Sequence, residues 1–205
     1  MKKIFIGLVA TLVLGMNAYA QSTPKADLFL GYSFFRANSA RNIPAFSMNG
    51  GLGAFGWNLS DHFGVEAEFG GYHNGNIHNI QFDSTTMTYL FGPRVSLGRS
   101  KRVSPYLHSL FGGMHATTSI ANPLIPTPTG DTGVSGGRIK ASQDAFAMAL
   151  GGGMDIRLTK GFSIRPIQLD YVWTRLEDFG LAGQDTRNQH NLRYAAGVLF
   201  TFGEK

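Results

Sequence analysis

The chain has no cysteine. That excludes a disulfide framework, a thiolate metal centre and a cysteine nucleophile. It also removes the residue on which an exported bacterial protein would carry a lipid anchor. Long apolar runs are missing too. Beyond residue 20, nothing approaches the roughly eighteen apolar residues of a membrane-spanning helix. Charge of one sign is scarce: the formal balance is +5, and it falls to +3 without Lys2 and Lys3. So small a charge demands no nucleic-acid partner, and none is expected. Lysine itself is sparse, present after residue 20 at Lys25, Lys101, Lys140, Lys160 and Lys205.

What is present begins with an export signal. Lys2 and Lys3 form a basic start, residues 4–15 an apolar run, and Ala18-Tyr19-Ala20 a small-x-small cleavage site before Gln21. Residues 1–20 read as a secretory signal peptide. An uncleaved anchor helix fits less well, because the run is short and a good cleavage site follows it. Residues 21–205 then form one domain.

The dominant pattern in that domain has period two, which is the alternation of a strand and not of a helix. In the last stretch Leu192, Tyr194, Ala196, Val198, Phe200 and Phe202 share one face; Asn191, Arg193, Ala195, Gly197, Leu199 and Thr201 share the other. Similar contrasts set Phe63, Val65, Ala67 and Phe69 against Gly64, Glu66, Glu68 and Gly70, and Met87, Tyr89, Phe91 and Val95 against Thr88, Gly92 and Arg94. Eight strands are predicted, over 26–36, 45–57, 62–72, 84–97, 104–116, 142–158, 161–176 and 190–202. A parity slip between Ile164 and Ile167 predicts a β-bulge at Arg165-Pro166, where proline is tolerated. Short connections (58–61, 98–103, 159–160) alternate with longer ones (37–44, 73–83, 117–141, 177–189). The third long one, rich in Pro, Thr and Gly, is expected to be mobile. Short turns at one end and long loops at the other describe an all-β, eight-stranded antiparallel up-and-down barrel.

The alternation also fits a soluble barrel, turned inside out. A soluble barrel would cover its outside with Lys, Glu and Thr. Here one face is continuously aliphatic and aromatic, and the other is Gly, Ala, Ser and Thr with a few charges. No lysine falls in the middle of a predicted strand. The apolar face therefore suits lipid, and the small-residue face suits a crowded interior. Aromatics near strand ends (Trp57, Phe63, Tyr72, Tyr106, Phe162, Trp173, Phe200, Phe202) are expected to form interfacial girdles. In hydrocarbon no sheet edge can stay open, so the first and last strands must pair. Eight strands leave a bore just wide enough for side chains to fill.

These stretches resemble the small outer-membrane β-barrel family, similar to the transmembrane domain of OmpA. The resemblance covers essentially all of residues 21–205. It is carried by "YLFGPRVSL" (89–97), "IRPIQLDYVWTRL" (164–176) and the last strand, where Gly197, Phe200 and Phe202 match the barrel-insertion signal. The polar slot of that signal falls on Ala195. The resemblance implies a transmembrane barrel in the outer membrane of a Gram-negative cell, with outer-membrane lipid and the barrel-insertion machinery as partners. A periplasmic peptidoglycan-binding domain is not expected.

Eight charged residues face inward by parity: Glu66, Glu68, Arg94, Asp155, Arg157, Arg165, Asp170 and Arg193. Buried charges require partners, and strand register predicts the pairs Glu66–Arg94 and Asp170–Arg193. They form a structural plug, or a gate for small ions as the resemblance allows. Gly51, Gly53 and Gly56 fit G-x-G-x-x-G but lack a strand–turn–helix setting, so small residues facing a tight lumen explain them better. Residues 133–137 fit G-x-S-x-G, with Asp170 and His190 downstream, yet no helix follows to form a nucleophile elbow. His62, His73, His78, His108, His115 and His190 match no lipid-acylase arrangement. His73, His78 and Asp83 share a loop without metal-site spacing. No catalytic residue, metal or cofactor is expected. The reading is a monomeric barrel with a structural or surface-interaction role. A narrow channel, a lipid-modifying enzyme and a soluble periplasmic ligand-binding barrel are the alternatives.

Overall fold

The computed structural model describes residues 24–38, 45–74, 82–99, 101–122, 137–176 and 187–203. Residues 1–23, where the signal peptide is expected, lie outside them. The chain forms eight strands: β1 (Ala26–Ala37), β2 (Phe46–Asn58), β3 (Phe63–Asn74), β4 (Phe82–Ser96), β5 (Val103–Asn122), β6 (Gly137–Arg157), β7 (Phe162–Leu176) and β8 (Arg187–Phe202). Each pairs antiparallel with the next, and the sheet closes. The closing seam runs from Ala26 opposite Phe202 to Ala37 opposite Asn191, so no edge strand remains among the described residues. The shortest strands have 12 residues, enough to cross a bilayer at the tilt barrels adopt, which takes about 9–11.

The two faces are inverted relative to a soluble protein. Phe69 and Leu107 point outward and are 66% and 70% exposed, while Glu68, Arg165 and Arg193 are fully enclosed. Phe55, Phe91, Phe111, Phe146, Leu150 and Leu192 extend the outer apolar belt around the barrel. An aqueous solvent would penalise such a surface; hydrocarbon matches it.

Register fixes which side chains meet. The predicted bulge is present: the β7–β8 register shifts between Arg165 and Gln168, with a second shift across β6–β7 between Met154 and Ile156. The bulge resets the parity, so Arg165 and Gln168 both turn inward while Pro166 faces out. At the seam Gly31 stands opposite Gly197. A Cβ on Gly31 would lie 2.5 Å from the Ala196 carbonyl oxygen and 2.6 Å from the Phe29 ring, and one on Gly197 would strike the Leu30 carbonyl. Two glycines thus allow β1 and β8 to close against each other.

Several expectations need correcting. Tyr72 and Tyr106 do not join the aromatic girdle; both are buried in the lumen. Their even-numbered positions on β3 and β5 share parity with Glu66 and His108, which outweighs their aromatic character. Gly51 and Gly53 face outward, and Gly56 alone of that trio faces the lumen. Leu30 of β1 lies beside Gly53, with its Cδ2 3.6 Å from where a Cβ would stand. The β5–β6 hairpin is longer than predicted. Its ladder continues to Asn122 opposite Gly137, because Thr117, Thr118 and Ile120 favour extended backbone even without an apolar pattern. The remaining loop residues, 123–136, lie outside the described residues.

Candidate functional site: an ionic layer across the lumen

The inward face is not uniformly small and polar. One apolar cluster, including Phe35, Met48, Tyr72, Leu90, Leu110, Met114 and Val172, fills the half nearer the long loops. Phe35 and Tyr72 pack there with their ring planes tilted and 5.2 Å between centroids. Phe29, Leu52, Ala54, Ala195 and Leu199 form a smaller cluster on the β1–β2–β8 side.

The charges are knitted together between these apolar side chains. Arg94 of β4 pairs with Asp27 of β1, and its Nη1 donates to Glu66 Oε2 of β3 at 2.8 Å. The other Glu66 oxygen meets His108 Nδ1 at 2.9 Å, and His108 Nε2 meets Asp170 Oδ1 at 2.7 Å. An imidazole serves two ionised carboxylates at once only with a proton on each nitrogen. Arg193 of β8 then grips Asp170 Oδ2 through Nε (2.9 Å) and Nη2 (2.6 Å). Its Nη1 reaches across to Glu68 Oε1 at 2.5 Å. Both predicted pairs, Glu66–Arg94 and Asp170–Arg193, are formed.

Gln168 joins this chain to a second one. Its Nε2 donates to Glu68 (3.2 Å) and Asp170 (2.9 Å). Its Oε1 accepts from Tyr106 (2.8 Å) and from Arg165 Nη1 (2.9 Å). Arg165 also holds Asp155 with Nε (2.7 Å) and Nη2 (3.2 Å). Its guanidinium sits 4.4 Å from the ring centroids of both Phe29 and Tyr106, so the rings screen its faces while its edges are hydrogen-bonded. Asn58 of β2 donates to Asp27 at 2.9 Å. Every one of the eight strands contributes a side chain to the layer.

Arg157 takes a different place. It is half-buried at the short-turn mouth, where its Nη2 donates to the Arg99 carbonyl at 2.6 Å. Asp27, Asn58, Tyr106, His108 and Gln168 are the members that charge counting missed. Reading β1 and β5 for parity would have found Asp27, Tyr106 and His108, since Asp27 shares a face with Ser33, and His108 with Ser104 and Tyr106; Gln168 already shares the inward face of β7 with Asp170.

The remaining sequence candidates disperse. His62 belongs to the β2–β3 turn, and His73 Nδ1 meets Thr85 Oγ1 at 3.3 Å. His78 and residues 133–136 lie outside the described residues. His190 stacks beside Tyr171, with its Nδ1 against the phenol oxygen, on the outer surface. Another outer-surface relay was not anticipated. Asp144 Oδ1 meets His115 Nδ1 at 2.7 Å, His115 Nε2 lies 3.4 Å from Thr117 Oγ1, and Thr117 meets Ser142 at 3.1 Å. This is an acid–imidazole–hydroxyl order. However, β5 is laddered there to both β4 and β6, so its amides are not available to stabilise an oxyanion.

A closed eight-stranded barrel with an apolar exterior and an ionic interior matches a known family in sequence as well. The profile described as outer membrane protein beta-barrel domain matches residues 6–202. The chain belongs to this family. Family membership places it in the outer membrane. No curated protein matches it by sequence. Among solved structures it is similar to Ail, the attachment invasion locus protein of Yersinia pestis. That likeness has 16% identity and a TM-score of 0.53, and covers 87% of this chain and 99% of that one. It is likewise similar to Neisserial surface protein A, with 11% identity, a TM-score of 0.55 and coverage of 87% and 97%. At these identities the likeness is one of fold. The soluble periplasmic barrel does not survive these findings.

Proposed function

We propose that this protein is a monomeric, non-enzymatic barrel that seals its own lumen and acts through the surface its four long connections present outside the cell. Its short turns and both chain ends face the periplasm. The observation that carries this reading is the cross-lumen strut Glu68–Arg193–Asp170–His108–Glu66, which ties β3, β5, β7 and β8 together through the middle of the bore. An apolar cluster that includes Phe35, Tyr72, Leu110 and Val172 lies above it and narrows the bore toward the long-loop end. Residues 1–20 serve as the export signal, and Gly197, Phe200 and Phe202 as the address read by the insertion machinery. One structural neighbour is named for attachment and invasion and the other as a surface protein, and Ail has also been seen with a heparin analogue. Those names give a surface role its precedent. The His115 relay, without oxyanion donors, leaves lipid modification unsupported.

A narrow channel is the competing reading, because the same ionic layer would serve as its gate. Planar-bilayer recording separates the two. The wild-type protein, Arg94→Ala and Arg193→Ala are all expected to be silent, since the apolar cluster stays in place. Regular unit openings in the wild type, altered in either variant, would replace the plug with a gate.

A further inference from the structure

The two ends of the barrel differ in charge. Counted along the sequence, the long connections and the strand tips beside them carry Arg36, Arg41, Arg138, Lys140, Arg175 and Arg187, matched in number by Asp83, Asp131, Asp144, Glu177, Asp178 and Asp185. At the short-turn end Lys25, Arg99, Lys101, Arg102, Arg157 and Lys160 stand against a single acid, Asp61, among the described residues. The lumen acids Asp27 and Asp155, which line the same mouth, are held by Arg94 and Arg165. Arg99 is buried and Arg157 half-buried, but Lys25, Lys101, Arg102 and Lys160 are exposed. The positive excess of the barrel therefore gathers on one rim.

The three short turns set that rim against the membrane. Each begins on a leucine whose amide closes the turn: Leu59 N–H donates to the Phe63 carbonyl (3.0 Å), Leu97 to Pro105 (2.8 Å) and Leu158 to Phe162 (3.0 Å). The three side chains continue the outward apolar parity of their strands and are 61%, 65% and 52% exposed. Water would penalise them, and hydrocarbon that reaches the turns does not. Lys25 is tied in beside the outward Trp57 and Phe202: its N–H donates to the Phe202 carbonyl (2.9 Å) and its own carbonyl accepts from Asn58 N–H (2.8 Å). At the other end the outward positions turn polar, with Arg36, Asn49, His73, Thr85, Asp144 and Arg175 exposed. The barrel thus stands clear of the bilayer on the long-loop side and ends flush with it on the short-turn side. That brings the four exposed cations to the height of the lipid phosphates.

We infer that the short-turn rim binds anionic phospholipid, gathering lipids of the phosphatidylglycerol class around it in preference to zwitterionic ones. Lysine and arginine stems lie along the apolar belt while their charged heads reach the phosphates. A lipid with net negative charge gains more from them than one whose ammonium cancels its phosphate. Placing this leaflet on the periplasmic side rests on the orientation proposed above; the lipid preference does not.

The sequence supplies the reporters for a test. It has two tryptophans, Trp57 at this rim and Trp173 toward the long-loop end, opposite Met148 and His190. Trp173→Phe leaves Trp57 alone, and Trp57→Phe leaves Trp173. The full mature barrels are refolded into phosphatidylcholine vesicles containing an equal minor fraction of bromine-labelled phosphatidylglycerol or bromine-labelled phosphatidylcholine. Heat-modifiable gel migration confirms the fold of each variant. Quenching of Trp57 should show phosphatidylglycerol enriched at least about threefold, within the roughly fivefold that one cation near an anionic surface is worth. Lys25→Gln, Lys101→Gln, Arg102→Gln and Lys160→Gln together should return the two lipids to parity, and high salt should do the same. Arg36→Gln with Arg175→Gln, at the far end, should leave the enrichment unchanged. Trp173 should show no preference. No enrichment at Trp57, enrichment that survives the four rim substitutions, or equal enrichment at Trp173 would each overturn the proposal. Protease access to the turns in intact cells and in spheroplasts tests orientation separately, and a reversed orientation would leave the vesicle result standing.

Discussion

At the residue scale, the fate of each charge follows from what surrounds it. Arg193 is fully enclosed and binds two carboxylates. Truncating it leaves Glu68 and Asp170 facing each other without their cation. Arg193→Ala should lower the unfolding free energy by about 3–5 kcal/mol, the usual cost of breaking a buried pair, read as a fall in the urea midpoint in lipid vesicles. Arg36 provides the control. It is exposed near the long-loop end, with its Nη1 on Ser47 Oγ at 2.9 Å, and Arg36→Ala should stay within about 0.5 kcal/mol. Equal effects from both would mean that the lumen network contributes no more than a surface contact. Glu66, Arg94, Asp170 and Arg193 were legible as pairs in the sequence because adjacent antiparallel strands bring inward residues of similar height within reach, directly opposite for Asp170 and Arg193 and diagonally for Glu66 and Arg94. Glu68–Arg193 was not, because β3 and β8 meet only across the closed bore.

At the scale of the element, alternation did nearly all the work. A barrel strand in lipid has one face selected for hydrocarbon and the other for a crowded interior, so each strand carries its own orientation. The break at Arg165-Pro166 was readable for the same reason: a slip in parity has no other simple cause than an extra residue. What misled was residue character. Tyr72 and Tyr106 look like girdle aromatics until their parity is followed. The tips of β5 and β6 look like loop because strand there is held by cross-strand backbone bonds and not by a buried face. The last strand deserves a test at this scale. Phe200 packs on Phe162 at 5.5 Å between centroids and sits opposite Leu28 of β1. Removing residues 200–205 takes away both the closing partner of β1 and the proposed insertion address. The truncated protein is expected to be exported and to remain unassembled, seen as loss of heat-modifiable migration and of outer-membrane fractionation. Normal insertion would show that the final strand end is dispensable.

At the scale of the whole molecule, closure makes the individual strands viable. The lipid-facing belt is tolerable only because no backbone edge is open to hydrocarbon, and the ionic layer is tolerable only because eight strands converge on it. The cysteine-free sequence offers a clean test of the seam. Leu30 and Val198 are direct partners across β1 and β8, within the Cα spacing a disulfide needs. Leu30→Cys with Val198→Cys should cross-link on mild oxidation of the folded barrel, giving a species that no longer shifts fully on heating without reductant. The pair Leu30→Cys with Phe55→Cys, which does not share a register position, should not cross-link. Cross-linking of both, or of neither, would place the seam elsewhere.

By itself the sequence determined the class of molecule: its strands, which face of each meets lipid, and which charges are turned inward. These are local properties, since strand parity is set by the chain's own geometry and the solvent on each side. Only the tertiary structure decided what the inward charges meet. His108 spans Glu66 and Asp170, Gln168 links two ionic chains, and Arg165 lies between two aromatic rings. Those contacts cross the bore between strands that are not neighbours. Their geometry is fixed by strand number, stagger and closure, which belong to the whole sheet and to no single segment of it.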